Sequence, residues 1–278
     1  MYDVSYSYLY GFFMIVELSD FFNNPSLIEI GPLKIQYYAV TWLLSAIFIY
    51  LFMKSNQIMI ELGLNHEKVN DLVFMYGLFI GSMCGGRVGY MIFYGTEQLI
   101  SNPLSLFYIW QGGLSFHGGL VGVVISFLVF SKRNNISFLR LMDGAALAMP
   151  IGLGLVRIGN FLNGELYGKE TNGDWGFIFP TDPFGLLRHP SQLYESFGEG
   201  ILLFILLYWI NKLTKIHGVV CSSFLILYGL IRFIIEFFRQ PDSHIGYVFL
   251  ESLSMGQILC VPMIAIGFIM LFYSRKTS

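Results

Sequence analysis

The chain has 278 residues, 55% of them apolar and only 12% charged, with a mean hydropathy of +0.63. Soluble domains carry about a quarter charged residues, so a water-soluble globule, a disordered chain and a coiled coil are all excluded. The net charge of -2 argues against nucleic acid as a partner, and Cys84, Cys221 and Cys260 lie too far apart for a disulfide framework or a CxxC metal site.

The composition predicts an all-α integral membrane protein, with residues 1–278 forming one transmembrane domain. Residues 1–34 contain Asp3, Glu17, Asp20 and Glu29 before Lys34. A secretory signal peptide opens on a basic segment, so this stretch is not one. The aromatic run Tyr8 to Phe22 is too short and too acidic at its ends to span, and reads as an N-terminal interfacial helix. Crossing the hydrocarbon layer takes about 20 apolar residues. Seven stretches qualify, at about 36–53, 72–94, 116–131, 141–158, 196–211, 218–238 and 255–273.

Basic residues set the orientation. One set of loops holds Lys54, Lys68, Lys132, Arg133, Arg140, Lys212, Lys215, Arg275 and Lys276, nine of the sixteen. That side is expected to face the cytoplasm, which puts the N-terminus outside and the C-terminus inside. The long segment 159–195 is then extracytoplasmic, and its Gly, Asn, Trp and Pro content suits a structured loop.

Ionisable groups at membrane depth are expensive and mark functional sites. Span 2 carries Gly77, Gly81, Gly85 and Gly89, a smooth ridge for close helix contact. Arg87 lies about 200° from Gly85 at 100° per residue, so it is expected to face a polar cavity. Span 3 opens Gly112-Gly113-Leu-Ser-Phe-His117-Gly118-Gly119, where backbone can approach a ligand closely around a lone histidine. No second histidine stands at i+3 or i+4, so no metal site is expected.

Span 4 ends in Gly154-Leu-Val-Arg157-Ile-Gly159-Asn160-Phe-Leu-Asn163-Gly164-Glu165-Leu-Tyr-Gly168. Arg157 and Asn160 share a helix face, and a guanidinium with amides and open backbone N–H groups suits a phosphate. A polar cap on a glycine-rich helix end is the other reading. His189-Pro-Ser-Gln-Leu-Tyr-Glu195 opens span 5, with Ser191 placed to cap it and Glu199 one turn on. Span 6 holds Tyr228, Arg232 and Glu236 in one stripe, joined by Arg239. A structural ion pair is the alternative for each of these charges. Together the arginines describe an outer-leaflet pocket for an anionic lipid headgroup.

Five segments resemble bacterial prolipoprotein diacylglyceryl transferases. They are the Gly154–Gly168 run; Gly86-Arg87-Val-Gly89-Tyr90; Gly112 to Leu120; His189 to Glu195; and Tyr228-Gly-Leu-Ile-Arg232-Phe-Ile-Ile-Glu236-Phe-Phe-Arg239-Gln-Pro-Asp242. The resemblance implies a seven-span, N-out, C-in enzyme of the bacterial inner membrane with its active site toward the periplasm. It would transfer diacylglyceryl from phosphatidylglycerol to the lipobox cysteine of a preprolipoprotein signal peptide, form a thioether and release glycerol 1-phosphate. Membrane lipids are its surroundings, and no cofactor or metal is implied.

Carried over residue by residue, the resemblance makes Arg157, Arg232 and His117 catalytic, with His117 as base. It gives phosphatidylglycerol contacts to Arg157, Asn160, Tyr38, Arg87, Gly168, Glu165, Tyr228 and Arg239. Glu195 and Glu236 organise the pocket. Gln36 departs from the family, which has arginine two residues before the tyrosine matched by Tyr38. A positive field from the arginines would favour thiolate on the substrate cysteine. The competing function is a lipid-binding or lipid-flipping membrane protein without chemistry.

Overall fold

The computed structural model describes residues 15–16, 26–30, 33–171, 173, 175–241, 247–249 and 253–276. Seven long helices dominate it: α1 Tyr37–Ser55, α2 His66–Phe93, α3 Phe116–Arg133, α4 Phe138–Leu162, α5 Ser191–Leu213, α6 Val219–Ile235 and α7 Met255–Lys276. Six are long and apolar enough to cross a membrane, and α6, with 17 residues, is the shorter apolar helix. The chain is therefore a multi-pass membrane protein. Every expected span coincides with one of these helices.

Their ends differ from the hydropathy profile for a physical reason. The profile stops at polar residues, whereas hydrogen bonding continues through them. Helix α4 takes in Arg140 and Asn160 beyond the predicted 141–158, and runs past Pro150 in its interior. Helix α5 starts at Ser191, five residues before the predicted 196–211, through Gln192 and Glu195. The connecting loop is accordingly 163–190 rather than 159–195. Two helices contain π-type stretches with i→i+5 bonding, Asp71–Cys84 in α2 and Ser196–Leu202 in α5.

Small β pairings add to the helices. Strands β2 (Ser26–Ile30) and β3 (Leu33–Gln36) form an antiparallel hairpin that leads into α1. Strand β1 (Ile15–Val16) pairs in parallel with β4 (Gly176–Ile178), which pairs antiparallel with β5 (Leu187–Arg188). Strands β6 (Tyr247–Phe249) and β7 (Leu253–Ser254) precede α7. The fold is thus helical in its spans but not all-α throughout. The expected interfacial helix Tyr8 to Phe22 lies mostly outside the described residues; within it, Ile15–Val16 is extended, because those two residues are drawn into a ladder with the loop.

The chain divides into two compact units, one of Met1–Phe48, Met149–Trp209 and Ser222–Ile269, the other of Ile49–Ala148, Ile210–Cys221 and Met270–Ser278. In the second unit, the glycine ridge of α2 meets α3 backbone to backbone. A Cβ on Gly89 would lie 2.6 Å from Gly118 Cα, and one on Gly85 would lie 2.8 Å from both Gly118 O and Gly122 Cα. The same unit buries Asp143 completely, where it accepts from the amides of Gly218 at 2.8 Å and Cys221 at 2.9 Å and so caps the start of α6.

In the first unit, Phe161 and Phe179 form a core against Leu162, Tyr167, Phe177 and Leu193. It fixes the loop 163–190 to the end of α4. Helix α1 packs on the same end, where a Cβ on Gly159 would meet Thr41 Oγ1 at 2.1 Å.

Candidate active site

The site grows from the C-terminus of α4. Gly164 adopts φ +66°, a left-handed conformation that glycine reaches without strain. Its amide donates to Phe161 O at 2.9 Å and the Glu165 amide donates to Asn160 O at 3.0 Å. This is the Schellman pattern, which satisfies the last carbonyls of a helix. The chain then doubles back, and Asn160 Nδ2 donates to Glu165 Oε1 at 2.9 Å. Gln192 Nε2 holds Glu165 O at 2.7 Å, and Ser191 Oγ donates to Leu166 O at 3.1 Å. Ser191 is the first residue of α5, so it staples the signature turn and is not the expected helix cap.

Around this turn three guanidiniums meet three carboxylates. Arg157 Nε lies 2.9 Å from Glu195 Oε2 and 3.9 Å from Glu199 Oε2. Arg232 Nη1 contacts Glu195 Oε1, and lies 3.4 Å from Glu199 Oε1. Its Nη2 pairs with Glu236 Oε2 at 2.7 Å. Arg239 reaches Glu195 Oε1 at 4.0 Å and Glu236 Oε1 at 3.9 Å. Glu195 and Glu199 are fully buried, on the α5 segment that passes into π geometry. There residues four or five apart line up on one face, which aims both carboxylates at the same arginines.

Helix α7 completes the lattice. Ser254 N donates to Gln257 Oε1 at 3.0 Å and Gln257 N donates to Ser254 Oγ at 3.2 Å, a reciprocal capping box. The same Ser254 hydroxyl donates to Glu236 Oε1 at 3.0 Å. Glu236 therefore sits at the positive end of the α7 dipole, in space left by Gly256.

The arginines were expected to make a positive pocket. They do converge, but each faces a carboxylate, and the formal charges of Arg157, Arg232 and Arg239 cancel those of Glu195, Glu199 and Glu236. A surplus positive field is not what these six residues supply. Burial explains the difference, because unpaired charge in the bundle would cost several kcal/mol per ion. Arg157 is the most open, its side chain 20% exposed against 10% for Arg232. One of its Nη groups donates to Asn160 Oδ1 at 3.4 Å. Its Nη2 has no acceptor among the described residues, which leaves two N–H donors for an anion.

Loop 163–190 carries a second, separate staple. The Asp182 carboxylate accepts from Arg188 Nε at 2.8 Å and Nη2 at 3.1 Å, and from the amides of Leu186 and Phe184. Burial alone would push this carboxyl up; the Arg188 guanidinium and the two amides outweigh it and hold the group below its ordinary range. Burial lowers the pKa of His189, whose Nδ1 lies 3.1 Å from Tyr194 Oη.

Other expected site residues have different surroundings. Arg87 is 97% buried and faces no open polar cavity. Its guanidinium donates to four backbone carbonyls, those of Leu106 (3.3 Å), Ser105 (2.6 Å), Gly112 and Gly113 (3.3 Å). Four of its five donors are thereby spent on shaping the segment before α3. Gly168 is a packing position: its amide donates to His189 O at 2.8 Å, and a Cβ there would meet the carbonyls of His189 and Phe238 at 2.6 Å. Tyr38 stands at the start of α1, edge-on to Trp42, with its Cα against Gly159. Tyr228, one turn before Arg232, stacks on Phe224. His117 is exposed in the first turn of α3, edge-on to Phe116. Asp242, the last residue of the motif matched in span 6, lies outside the described residues.

Two members of the lattice, Ser254 and Gln257, are not among the expected site residues, and Glu199 is expected only as a costly charge without an assigned role. Signals existed for each. Glu199 follows Glu195 by four, and Ser254-x-x-Gln257 ahead of an apolar run is a capping-box pattern.

The family described as prolipoprotein diacylglyceryl transferase matches residues 25–273. A phosphatidylglycerol–prolipoprotein diacylglyceryl transferase of Pseudomonas entomophila (strain L48) is 44% identical over 259 residues, 92% of this chain and 96% of its own. A protein of the same name from Pseudomonas putida (strain GB-1) is 45% identical over the same shares. Another, from Ectopseudomonas mendocina (strain ymp), is 43% identical over 253 residues, 91% of this chain and 94% of its own.

Proposed function

The chain belongs to the prolipoprotein diacylglyceryl transferase family, and on that footing we infer how its own residues move diacylglyceryl from phosphatidylglycerol to a prolipoprotein cysteine. The chain is a transferase of the first step of lipoprotein maturation. The sulfur of the substrate cysteine bonds to the glyceryl carbon, the bond from that carbon to the phosphate oxygen breaks, and glycerol 1-phosphate leaves. The thiol proton must also go to a base.

A free thiol has a pKa near 8.5 and is mostly protonated at neutral pH. His117 takes that proton in this scheme; it is an exposed imidazole beside glycines whose missing side chains bring α3 against α2. The phosphate gains negative charge as it leaves, so donors fixed beside it act more strongly in the transition state than in the ground state. Arg157 supplies them through its open Nη2, while Nε is locked on Glu195 and Nη1 on Asn160. Arg232, Arg239, Glu195, Glu199 and Glu236 hold that guanidinium in place, so little reorganisation accompanies the reaction. Asn160 and Glu165 shape the turn beneath the headgroup, and Tyr38 and Tyr228 border it. Arg87 and Gly168 act through backbone they position.

The observation that carries this reading is Arg157, the most exposed of the three lattice arginines, held through Nε on Glu195 with its Nη2 left for an anion. The chain sits in the bacterial inner membrane with this lattice toward the periplasm, as the basic ends of α1, α3, α5 and α7 support. Purified protein mixed with phosphatidylglycerol and a lipobox peptide releases glycerol phosphate and yields lipidated peptide. Binding without either product would leave a lipid carrier instead. Arg157→Ala lowers turnover by about 10²- to 10³-fold, the scale of losing one fixed oxyanion donor. Normal turnover in that variant rejects its role, and a pH–rate profile unmoved by His117→Gln rejects the base.

A further inference from the structure

We propose that a groove between α2 and α3 binds an anionic phospholipid of the cytoplasmic leaflet, with its phosphate on Arg133 and one acyl chain along the helices. The site lies within the second unit and shares no residue with the ion lattice. The groove has a volume of about 370 Å³. One wall is the stripe Tyr76, Ile80, Cys84 and Val88 of α2, and the other includes Ile125 and Val129 of α3. Gly85 and Gly122, where the two backbones touch, and Val88 just beyond them form its far end.

Polar groups gather at the opposite end. Arg133, in the last turn of α3, donates from Nη1 to Tyr76 Oη at 2.9 Å. Ser126 is turned away, its hydroxyl donating to Tyr76 O at 2.7 Å. Arg140, Arg157, Arg188, Arg232 and Arg239 all face carboxylates. Arg133 has none among the described residues, and Lys132 stands beside it. An exposed guanidinium anchored by a neutral hydroxyl keeps its charge and most of its donors for a phosphate, which its planar fork matches.

Length agrees with a single leaflet. From Gly122 to Arg133 a helix rises about 16 Å at 1.5 Å per residue, about half of a ~30 Å hydrocarbon layer. The groove thus begins at the basic edge and stops near the midplane, as one acyl chain does. Arg133 lies at the end of α3 that the positive-inside rule assigns to the cytoplasm.

Cys84 lines this groove and is exposed, whereas Cys221 and Cys260 are buried. Its alkylation therefore reports occupancy, and the other two thiols report unfolding. Purified full-length protein in neutral detergent micelles is titrated with phosphatidylglycerol or with chain-matched phosphatidylcholine, and N-ethylmaleimide labelling of Cys84 is timed. Phosphatidylglycerol should protect Cys84 at about fivefold lower concentration than phosphatidylcholine, the ~1 kcal/mol preference of one basic residue for an anionic lipid. Arg133→Gln should erase the difference and Arg133→Lys should keep part of it. Should Arg133→Gln expose Cys221 and Cys260, the wild type at ~1 M salt replaces it, since screening to about 3 Å should also erase the preference. Equal protection by the two lipids, or a preference that survives Arg133→Gln, overturns the proposal. So does protection that rises with protein concentration in the absence of lipid, which would place a second copy of the chain in the groove.

Discussion

Glu195 shows why residue type alone misled about charge. It is fully buried and touches Arg157, Arg232 and Arg239, so one carboxylate balances parts of three guanidiniums. Removing a partner from a buried pair strands its opposite, at a cost of about 3–5 kcal/mol. Glu195→Gln should therefore cost stability before it costs chemistry, read as an early loss of the folded, non-aggregating fraction on heating in detergent. A variant as stable as the wild type would show that the lattice is not held by charge. The same reasoning separates the two arginines. Arg232 serves Glu195, Glu199 and Glu236 at once, so its loss confounds folding with turnover, whereas Arg157 keeps one face open and tests catalysis more cleanly. Which residues would be expensive at membrane depth was legible in the chain. Who would pair with whom was not, because Arg157 and Glu195 are 38 positions apart and meet only through the placement of α4 against α5.

Helices and the loop follow different rules. The α2 ridge was legible because glycines at spacing four have few other uses on an apolar helix, and the contact with α3 is the outcome. A methyl on Gly89 would meet Gly118 Cα at 2.6 Å, and backbone cannot swing aside as a side chain can. Gly89→Ala should destabilise by about 1–3 kcal/mol, the usual cost of overpacking. Gly77→Ala, whose nearest neighbours lie at 3.2 and 3.6 Å, should cost clearly less in the same thermal assay. Equal losses would mean the two helices are not in close contact at Gly89. Strands β1 and β4 to β7 were illegible, since two or three residues carry no period and owe their pairing to the chain around them. In the loop 163–190, Asp182 has a folded pKa below its unfolded value of about 3.9. Its contribution is thus complete above about pH 4 and is lost as pH falls through the lower folded value. Hydrogen exchange at the Leu186 amide, corrected for its intrinsic pH dependence, should accelerate across that window. In Asp182→Asn it should be fast already at neutral pH and insensitive to acid.

At the scale of the whole molecule, the proposed orientation decides which leaflet the ion lattice serves. Helices α1, α3, α5 and α7 end in Lys54, Lys132 with Arg133, Lys212, and Arg275 with Lys276, whereas α2 and α4 have no basic residue in their last turn. Consecutive spans run in opposite directions, so the proposed orientation gathers these basic turns on the cytoplasmic side, as the positive-inside rule asks. The far side still has to accommodate Arg157, Arg232 and Arg239. The rule counts basic residues rather than net charge, so pairing with Glu195, Glu199 and Glu236 lowers the cost of burying those arginines and leaves the orientation signal to the basic turns. Orientation can be read by labelling with a membrane-impermeant maleimide in a Cys84→Ser background, since Cys221 and Cys260 are buried. Phe184→Cys, at a loop position that is 76% exposed, should react in intact spheroplasts. Lys276→Cys, exposed in the last turn of α7, should react only after lysis. The reverse pattern would put the lattice in the cytoplasmic leaflet, out of reach of a substrate cysteine presented at the outer face.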